Sequence, residues 1–93
     1  MRPKHGQEAL VRSLLDYLVL FHERQPGYLH GYRIDRADRG DRLGRISVWA
    51  SEADAERAAG ADRDLVLRAE LMIAIDDNSH EEHSFEASVA PRL

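Results

Sequence analysis

Three side chains with complementary chemistry alternate along one short segment near the middle of the chain. In GRISVWA, Arg45, Ser47 and Trp49 occupy every second position. Successive side chains of a β-strand point to opposite faces, so these three share one face, whereas Ile46 and Val48 share the other. An indole offers a surface for stacking, and a guanidinium offers a planar fork of donors to oxygen anions. The segment could therefore orient a phenol, a quinone or a carboxylate.

A second pair of candidate residues lies in the preceding segment, YLHGYRID. His30 and Tyr32 are two positions apart and would share a strand face. Beside an indole, this pair could remove the proton of a phenol. A register slip of one residue would bring Arg33 to Trp49 instead. We expect His30 and Tyr32 to lie on the same side of the sheet as Trp49. The structural alternative is that Trp49 only packs against its neighbours and that His30 and Tyr32 belong to a polar sheet face.

The surrounding pattern predicts helices on either side of a β-hairpin. Apolar positions at helical spacing, Gly and Pro breaks, and period-two alternation define the elements. A helix is predicted over 7–25, strands over 28–35 and 43–50, a helix from the Ser51 cap through Ala59 that continues over 62–75, and a last strand over 84–89.

The apolar positions also predict which faces are buried. We expect Ile46, Val48 and Ala50 to face the helices and the Trp49 side of the strand to face a wetter surface, where a second copy packs. The helical positions form broad stripes. In the first helix these are Leu10, Leu14, Tyr17, Leu18 and Phe21, flanked by Val11, Leu15 and Val19; in the last helix they are Leu65, Ala69 and Met72, beside Leu67, Leu71 and Ile75.

Composition excludes several classes of protein. A chain of 93 residues forms one domain, and homodimerisation would add the apolar burial that so small a domain lacks. The formal net charge of -4, without a basic stripe, argues against nucleic-acid binding. With no cysteine, thiolate chemistry and disulfides are absent. No apolar run resembles a signal peptide or a membrane span, so we expect a cytoplasmic protein without membrane contact.

Two other motifs predict only loops. In DDNSHEEH, His80 and His83 lie among carboxylates that could bind a metal ion, but a flexible acidic loop is the favoured interpretation and no metal is expected. The tripeptide Arg39-Gly40-Asp41 suits the turn of the hairpin.

The ordered segments PGYLHGYRID and GRISVWASEADAERAA, followed by a helix and a short strand, resemble the dimeric α+β barrel superfamily, and within it the antibiotic-biosynthesis-monooxygenase type. The most specific pieces are Pro26-Gly27 and the stretch from Trp49 to Glu52. The resemblance implies a ferredoxin-like α+β fold of order (β)-α-β-β-α-β, with helices on one face of an antiparallel sheet. It also implies a homodimer packed sheet to sheet, with a small-molecule cavity lined by Trp49.

The chain departs from that family in two respects. Only MRPKHGQ precedes the first helix, where the family has an interior strand. An upstream start, a strand from another chain or a different pairing of the last strand would each close the gap; we favour an abbreviated strand whose end is Arg2-Pro3-Lys4. Heme-degrading relatives pair the tryptophan with a histidine on the following helix and an asparagine on the first strand. Between Ser51 and Ser79 there is no histidine, and the only asparagine is Asn78, so heme is not expected.

The sequence thus favours a protein that binds a small aromatic or polyketide-like molecule and acts as a cofactor-independent monooxygenase. In this hypothesis His30 and Tyr32 are catalytic, and Trp49, Arg45 and Ser47 bind the substrate. A ligand-binding or regulatory module without a reaction, and a structural dimerisation unit, are the alternatives.

Overall fold

The computed structural model of the chain confirms the predicted order of elements from the first helix to the last helix. It describes residues 1–35 and 42–85. The elements are α1 (Glu8–Glu23), β1 (Tyr28–Asp35), β2 (Leu43–Trp49), α2 (Glu52–Ala59) and α3 (Asp62–Ala74). Each of these lies within two residues of its predicted bounds. The predicted turn at Arg39–Asp41 and most of the predicted last strand lie outside the described residues, and Ser84 and Phe85 are in irregular structure.

The residues that precede β1 and those that follow β2 are joined to each other at the open end of the hairpin. Gly27 has a φ of 83°, a left-handed conformation that glycine adopts without strain, and a Cβ there would collide with the side chain of Asp54. The Ala50 amide donates to the Gly27 carbonyl at 2.7 Å. Ser51 caps α2 by accepting a hydrogen bond from the Asp54 amide at 3.2 Å, as predicted. The two sequence segments that carried the family resemblance are therefore in contact.

The faces of the hairpin are the reverse of those predicted. β1 and β2 pair antiparallel, with Gly31 opposite Ser47 and Tyr32 opposite Ile46. An irregularity between Tyr28 and His30 leaves Leu29 without a partner, so Tyr28 rather than Leu29 lies opposite Trp49.

Contacts with the first helix show which face is inside. His22 of α1 lies 3.2 Å from the Ser47 hydroxyl, and Leu43, on the same strand face, is buried in the core. By contrast, Ile46 is 49% exposed and Tyr32 is 56% exposed. The prediction that Ile46, Val48 and Ala50 face the helices is therefore wrong; the face of Arg45, Ser47 and Trp49 does so.

The hydrophobic core lies between α1, α3 and the inner face of the hairpin. In α1 the buried stripe is Val11, Leu14, Leu15 and Leu18, whereas Leu10 and Tyr17 are about half exposed. In α3 the positions predicted as flanking, Leu67 and Leu71, are buried, and Leu65 and Met72 are half exposed. Both stripes were thus predicted too wide: four of the eight predicted positions in the first helix and three of the six in the last helix are buried, the latter being Leu67, Leu71 and Ile75.

Residues 1–4 occupy a position between β2 and the end of α3. Met1 and Leu43 exchange two hydrogen bonds, at 2.8 and 2.9 Å. On the other side, Pro3 forms an antiparallel bridge with Ile75, and the Asp76 amide donates to the Arg2 carbonyl at 2.8 Å. Residues 1–4 therefore pair with the start of β2 on one side and with the residues that follow α3 on the other. Within the described part of the chain, none of the helices combines the length and apolarity needed to cross a membrane.

The core stripe predicts a clear difference between two leucines of α1. Leu15 is fully buried and Leu20 is 53% exposed. Leu15→Ala should lower the free energy of unfolding by about 2–5 kcal/mol, because it leaves a cavity, whereas Leu20→Ala should change it by less than about 0.5 kcal/mol. Urea denaturation followed by circular dichroism measures both values. Equal losses in the two variants would show that the helix is packed on a different face.

Candidate functional site

A buried histidine joins three elements on the inner face of the hairpin. His22, near the end of α1, is 3% exposed. Its Nε2 lies 2.5 Å from Oδ2 of Asp64 on α3, and its Nδ1 lies 3.2 Å from Oγ of Ser47 on β2. A hydroxyl, an imidazole and a carboxylate therefore stand in series, with the carboxylate at the buried end.

This arrangement determines which ring nitrogen carries the proton. A carboxylate can only accept hydrogen bonds, so Nε2 of neutral His22 must donate to Asp64. Nδ1 then presents a lone pair to Ser47, whose hydroxyl donates to it. The imidazole is thus held in the tautomer that can receive a proton from the side of Ser47.

Asp64 is kept ionised by its surroundings although it is buried. Burial is the largest single effect and raises the pKa of Asp64, but the hydrogen bonds from His22 and Arg68 and the positive charge of Arg68 together outweigh it, so that the pKa lies below its ordinary value. Nε of Arg68 donates to Oδ1 of Asp64 at 2.5 Å, and another nitrogen of Arg68 donates to the Ala59 carbonyl at 2.7 Å. The carboxylate is therefore bonded at both oxygens.

Trp49 packs against two aromatic rings on this face. Its ring centroid is 5.3 Å from that of His22 and 5.7 Å from that of Tyr28, both in edge-on arrangements. Gly31, which pairs with Ser47, has no side chain to cover it, and the Tyr28 hydroxyl lies 3.0 Å from where a Cβ of Gly31 would be. A phenol hydroxyl and a serine hydroxyl thus border the same strip of the sheet.

Arg45 adds a positive charge beside Ser47. One of its terminal nitrogens donates to Oγ of Ser47 at 3.3 Å. Burial lowers the pKa of Arg45, while the charges of Asp64 and Glu82 raise it and that of Arg68 lowers it. An arginine remains a cation at neutral pH under such conditions. The site therefore offers a guanidinium for an oxyanion that forms next to Ser47.

A cavity of about 280 Å³ lies on the α3 side of this cluster. This volume is close to the lower end, about 300 Å³, of pockets that hold small molecules. Its lining combines polar groups with apolar ones: Arg68, Leu71, Met72, His80 and Glu82. Nδ1 of His80 is buried there without a hydrogen-bond partner among the described residues. Through Arg68, the cavity adjoins the carboxylate of Asp64.

The structure brings together some of the predicted site residues and separates the others. Arg45, Ser47 and Trp49 share one face, as predicted. His30 and Tyr32 lie on the opposite face, with ring centroids 5.6 Å apart, so the expectation that they join Trp49 is wrong. The register that the pattern left open places Arg33 and Gly31 on the Trp49 face instead.

Sequence reasoning missed His22, Asp64 and Arg68. A signal for the first two was present in the spacing. His22 continues the buried helical series of Leu15 and Leu18, and Asp64 precedes Leu67 and Leu71 at helical spacing. A polar residue at a core position of each helix indicates that the two meet inside the protein.

The histidines of the acidic loop pair separately with neighbouring glutamates. His80 lies 3.1 Å from Glu82, and His83 lies 3.6 Å from Glu81. Within residues 1–35 and 42–85, no three histidine or carboxylate side chains converge on a common point that could hold a metal ion.

Solved structures share this architecture. SnoaB from Streptomyces nogalater, described as a cofactor-independent oxygenase, is 24% identical over 95% of this chain and 87% of its own, with a TM-score of 0.78. Rv0793 from Mycobacterium tuberculosis is 19% identical over 94% of this chain and 91% of its own, with a TM-score of 0.74. A conserved protein from Methanosarcina mazei Go1 is 13% identical over 83% of this chain and 76% of its own, with a TM-score of 0.76.

These likenesses define the fold of the chain. No protein-family model matches the sequence, and no curated protein matches it. The chain has the α+β fold of these structures, with an antiparallel sheet that packs its helices on one face, as the resemblance implied. The resemblance stated from the sequence is confirmed at this level.

The buried carboxylate predicts an acid-sensitive contribution to stability. Because the pKa of Asp64 is lowered in the folded state, its contribution is present above the ordinary carboxyl pKa of about 3.9 and is lost as the pH falls through the lower folded pKa. Asp64→Asn should therefore cost about 3 kcal/mol at pH 6, since it removes the buried negative charge and leaves one acceptor oxygen in place of two for Arg68 and His22. It should cost less at pH 3.

Urea denaturation at the two pH values measures this difference. Glu70→Gln is the matched control, because Glu70 is an exposed carboxylate on the same helix. A loss at pH 3 as large as that at pH 6 would contradict the ionised state assigned to Asp64.

Proposed function

We propose that this protein is a small-molecule-binding α+β barrel protein that acts as a cofactor-independent monooxygenase on aromatic or polyketide-like substrates. The observation that carries the proposal is the juxtaposition of Trp49, Arg45 and the Ser47–His22 pair on the inner face of the hairpin. The similarity of the fold to SnoaB, which is described as such an oxygenase, supports it.

In the proposed reaction the protein supplies binding and proton removal, and the substrate supplies the electrons. A planar substrate stacks on Trp49, and Arg45 stabilises the negative charge that forms when the substrate loses a proton. The substrate anion gives one electron to O₂, and the resulting radical pair combines to a hydroperoxide. Loss of water then converts a methylene group into a carbonyl, so that one oxygen atom enters the product and the other leaves as water.

The proposed position of the substrate is beside Trp49 on the inner face of the hairpin, on the side toward Arg68, which also lines the cavity. The rings of His22 and Tyr28 cover the indole edge-on, so a substrate has to displace one of them or enter beside them. Tyr28 is the ring that can move, since it is only partly buried, whereas His22 is bonded at both nitrogens.

The outer face of the hairpin supports a homodimer as the proposed assembly. Ile34, Ile46 and Tyr32 are between 44% and 56% exposed on this face, and Leu29 is 57% exposed. A group of large apolar side chains on one sheet face is typical of an interface between subunits. In this proposal, a second copy of the chain covers the outer face, and His30 and Tyr32 lie between the two sheets; their predicted catalytic role stays a prediction.

Anthrones test the proposed reaction, because their oxidation produces quinones with a new visible absorbance. Wild-type protein should form quinone in air and should not do so under nitrogen. Trp49→Phe should weaken substrate binding by about 2- to 10-fold, since an aromatic pair contributes about 0.5–1.5 kcal/mol beyond its buried area. Binding without turnover would favour the alternative of a ligand-binding module. Absence of turnover together with unchanged binding by Trp49→Phe would contradict the proposed site.

A charge on the outer face tests the proposed dimer. Ile46→Asp should convert the protein to a monomer, because it places a carboxylate in the apolar interface. Leu65→Asp is the matched control, since Leu65 is also 49% exposed but lies on α3. Light scattering after gel filtration gives the molar mass of each. A wild-type monomer, or dimers of both variants, would exclude this interface.

A further inference from the structure

We propose that Ser47, His22 and Asp64 form a proton relay in which the Ser47 hydroxyl takes the acidic proton of a phenolic or enolic substrate and passes its own proton to His22. This proposal rests on the proposed function, because it assigns the proton acceptor of the same site. It also names the substrate class: a planar ring that carries an acidic hydroxyl group.

Access explains why the relay begins at the serine. His22 is 3% exposed and both of its ring nitrogens have partners, so a substrate cannot contact the imidazole directly. Ser47 is only half-buried. Gly31, its partner on β1, has no side chain, and the Tyr28 ring covers the position beside it, so Tyr28 is the ring that a substrate displaces to reach Ser47. The hydroxyl of Ser47 is thus the point at which a substrate proton can enter the series.

The transfer is balanced without any further reactant. The substrate O–H bond breaks as its proton moves to Oγ of Ser47, and the Ser47 O–H bond breaks as its proton moves to Nδ1 of His22. Ser47 ends neutral, the substrate becomes an oxyanion and His22 becomes an imidazolium. Nε2 of His22 keeps its proton and its hydrogen bond to Asp64 throughout.

The charges around the relay favour the product state. The imidazolium of His22 is stabilised by the carboxylate of Asp64 at 2.5 Å, while Arg68 holds the other oxygen of that carboxylate in place. On the substrate side, Arg45 already donates to Oγ of Ser47 and has further N–H groups for the oxyanion. The opposite charges therefore form next to partners that are present before the proton moves.

A chromophoric phenol tests the relay without the need for turnover. The probe is 4-nitrophenol, whose phenolate absorbs at longer wavelength than the phenol, and 4-nitroanisole is the matched ligand that has no proton to give. Because Trp49 is the only tryptophan, its fluorescence reports binding at the site directly. In wild-type protein, below the pKa of the free phenol, binding should produce the phenolate band without a matching release of protons into unbuffered solution. Nitroanisole should quench Trp49 without a spectral change of its own.

Two substitutions of Ser47 separate the relay from a simple charge effect of Arg45. Ser47→Ala should lower the amount of bound phenolate by about tenfold at the same pH, which corresponds to about one pKa unit, while both ligands still quench Trp49. Ser47→Thr keeps the hydroxyl and should keep most of the phenolate band. These variants preserve the buried contact of His22 with Asp64, so they should remain folded.

Three results would overturn the relay. Nitrophenol bound as the neutral phenol, or a phenolate band that is unchanged in Ser47→Ala, would exclude proton transfer through Ser47 while the proposed binding site stands. Release of one proton for each phenolate formed would show that Arg45 alone stabilises the anion and that the proton goes to solvent. Failure of both ligands to quench Trp49 would overturn the site itself, and with it the proposed function.

Discussion

The contact between His22 and Asp64 is the constraint on which the interior of this protein depends. Both side chains are almost fully buried, and a buried carboxylate is tolerated only when its oxygens are bonded. His22 bonds one oxygen and Arg68 bonds the other, and Arg68 in turn reaches the Ala59 carbonyl at the end of α2. One polar contact therefore fixes α1 against α3 and orients the arginine that closes the end of α2.

The same contact reaches β2 through His22. Because Asp64 accepts from Nε2 of neutral His22, Nδ1 is left to accept from the Ser47 hydroxyl. Ser47, Arg45 and Trp49 lie on the helix side of the sheet together with the buried Leu43. The alternating apolar residues Ile46 and Val48 are thereby directed outward, although they are the more hydrophobic set.

The helices and strands could be predicted because their signals are local. Alternation in β2, the Ser51 cap and the Pro26-Gly27 break each depend on a few neighbouring residues, and the observed bounds follow them. The facing of the hairpin depends on contacts that are distant in sequence. Hydrophobicity alone favoured Ile46 as the inward residue, because the helical spacing that puts His22 and Asp64 at core positions does not show which face of β2 they meet. The irregularity at Leu29, which brings Tyr28 to Trp49, also has no signature in the sequence.

The candidate site was likewise predictable where it depends on neighbouring residues and not where it depends on distant ones. The residue types on one strand identified Arg45, Ser47 and Trp49, because period-two spacing is sufficient to place them on a common face. The base was assigned to His30 from its neighbourhood in sequence, whereas the histidine that reaches this face comes from the far end of α1. Its position in a leucine stripe, at helical spacing from Leu15 and Leu18, was the available evidence, and it resembled ordinary core periodicity.

The arrangement also links the site to the assembly that we propose. This domain of 93 residues is small, and His22, Asp64 and Ser47 occupy interior positions that apolar side chains could have filled. Its interior therefore buries less apolar surface than a fully apolar one would. Its large apolar side chains are displaced to the outer sheet face, where Tyr32 and Ile46 are about half exposed. Covering that face with a second sheet would add apolar burial that the polar inner face of the hairpin does not provide. The polar inner face and the apolar outer face of the hairpin are therefore two consequences of one register, and a dimer that covers the outer face does not involve the inner face, where the candidate site lies.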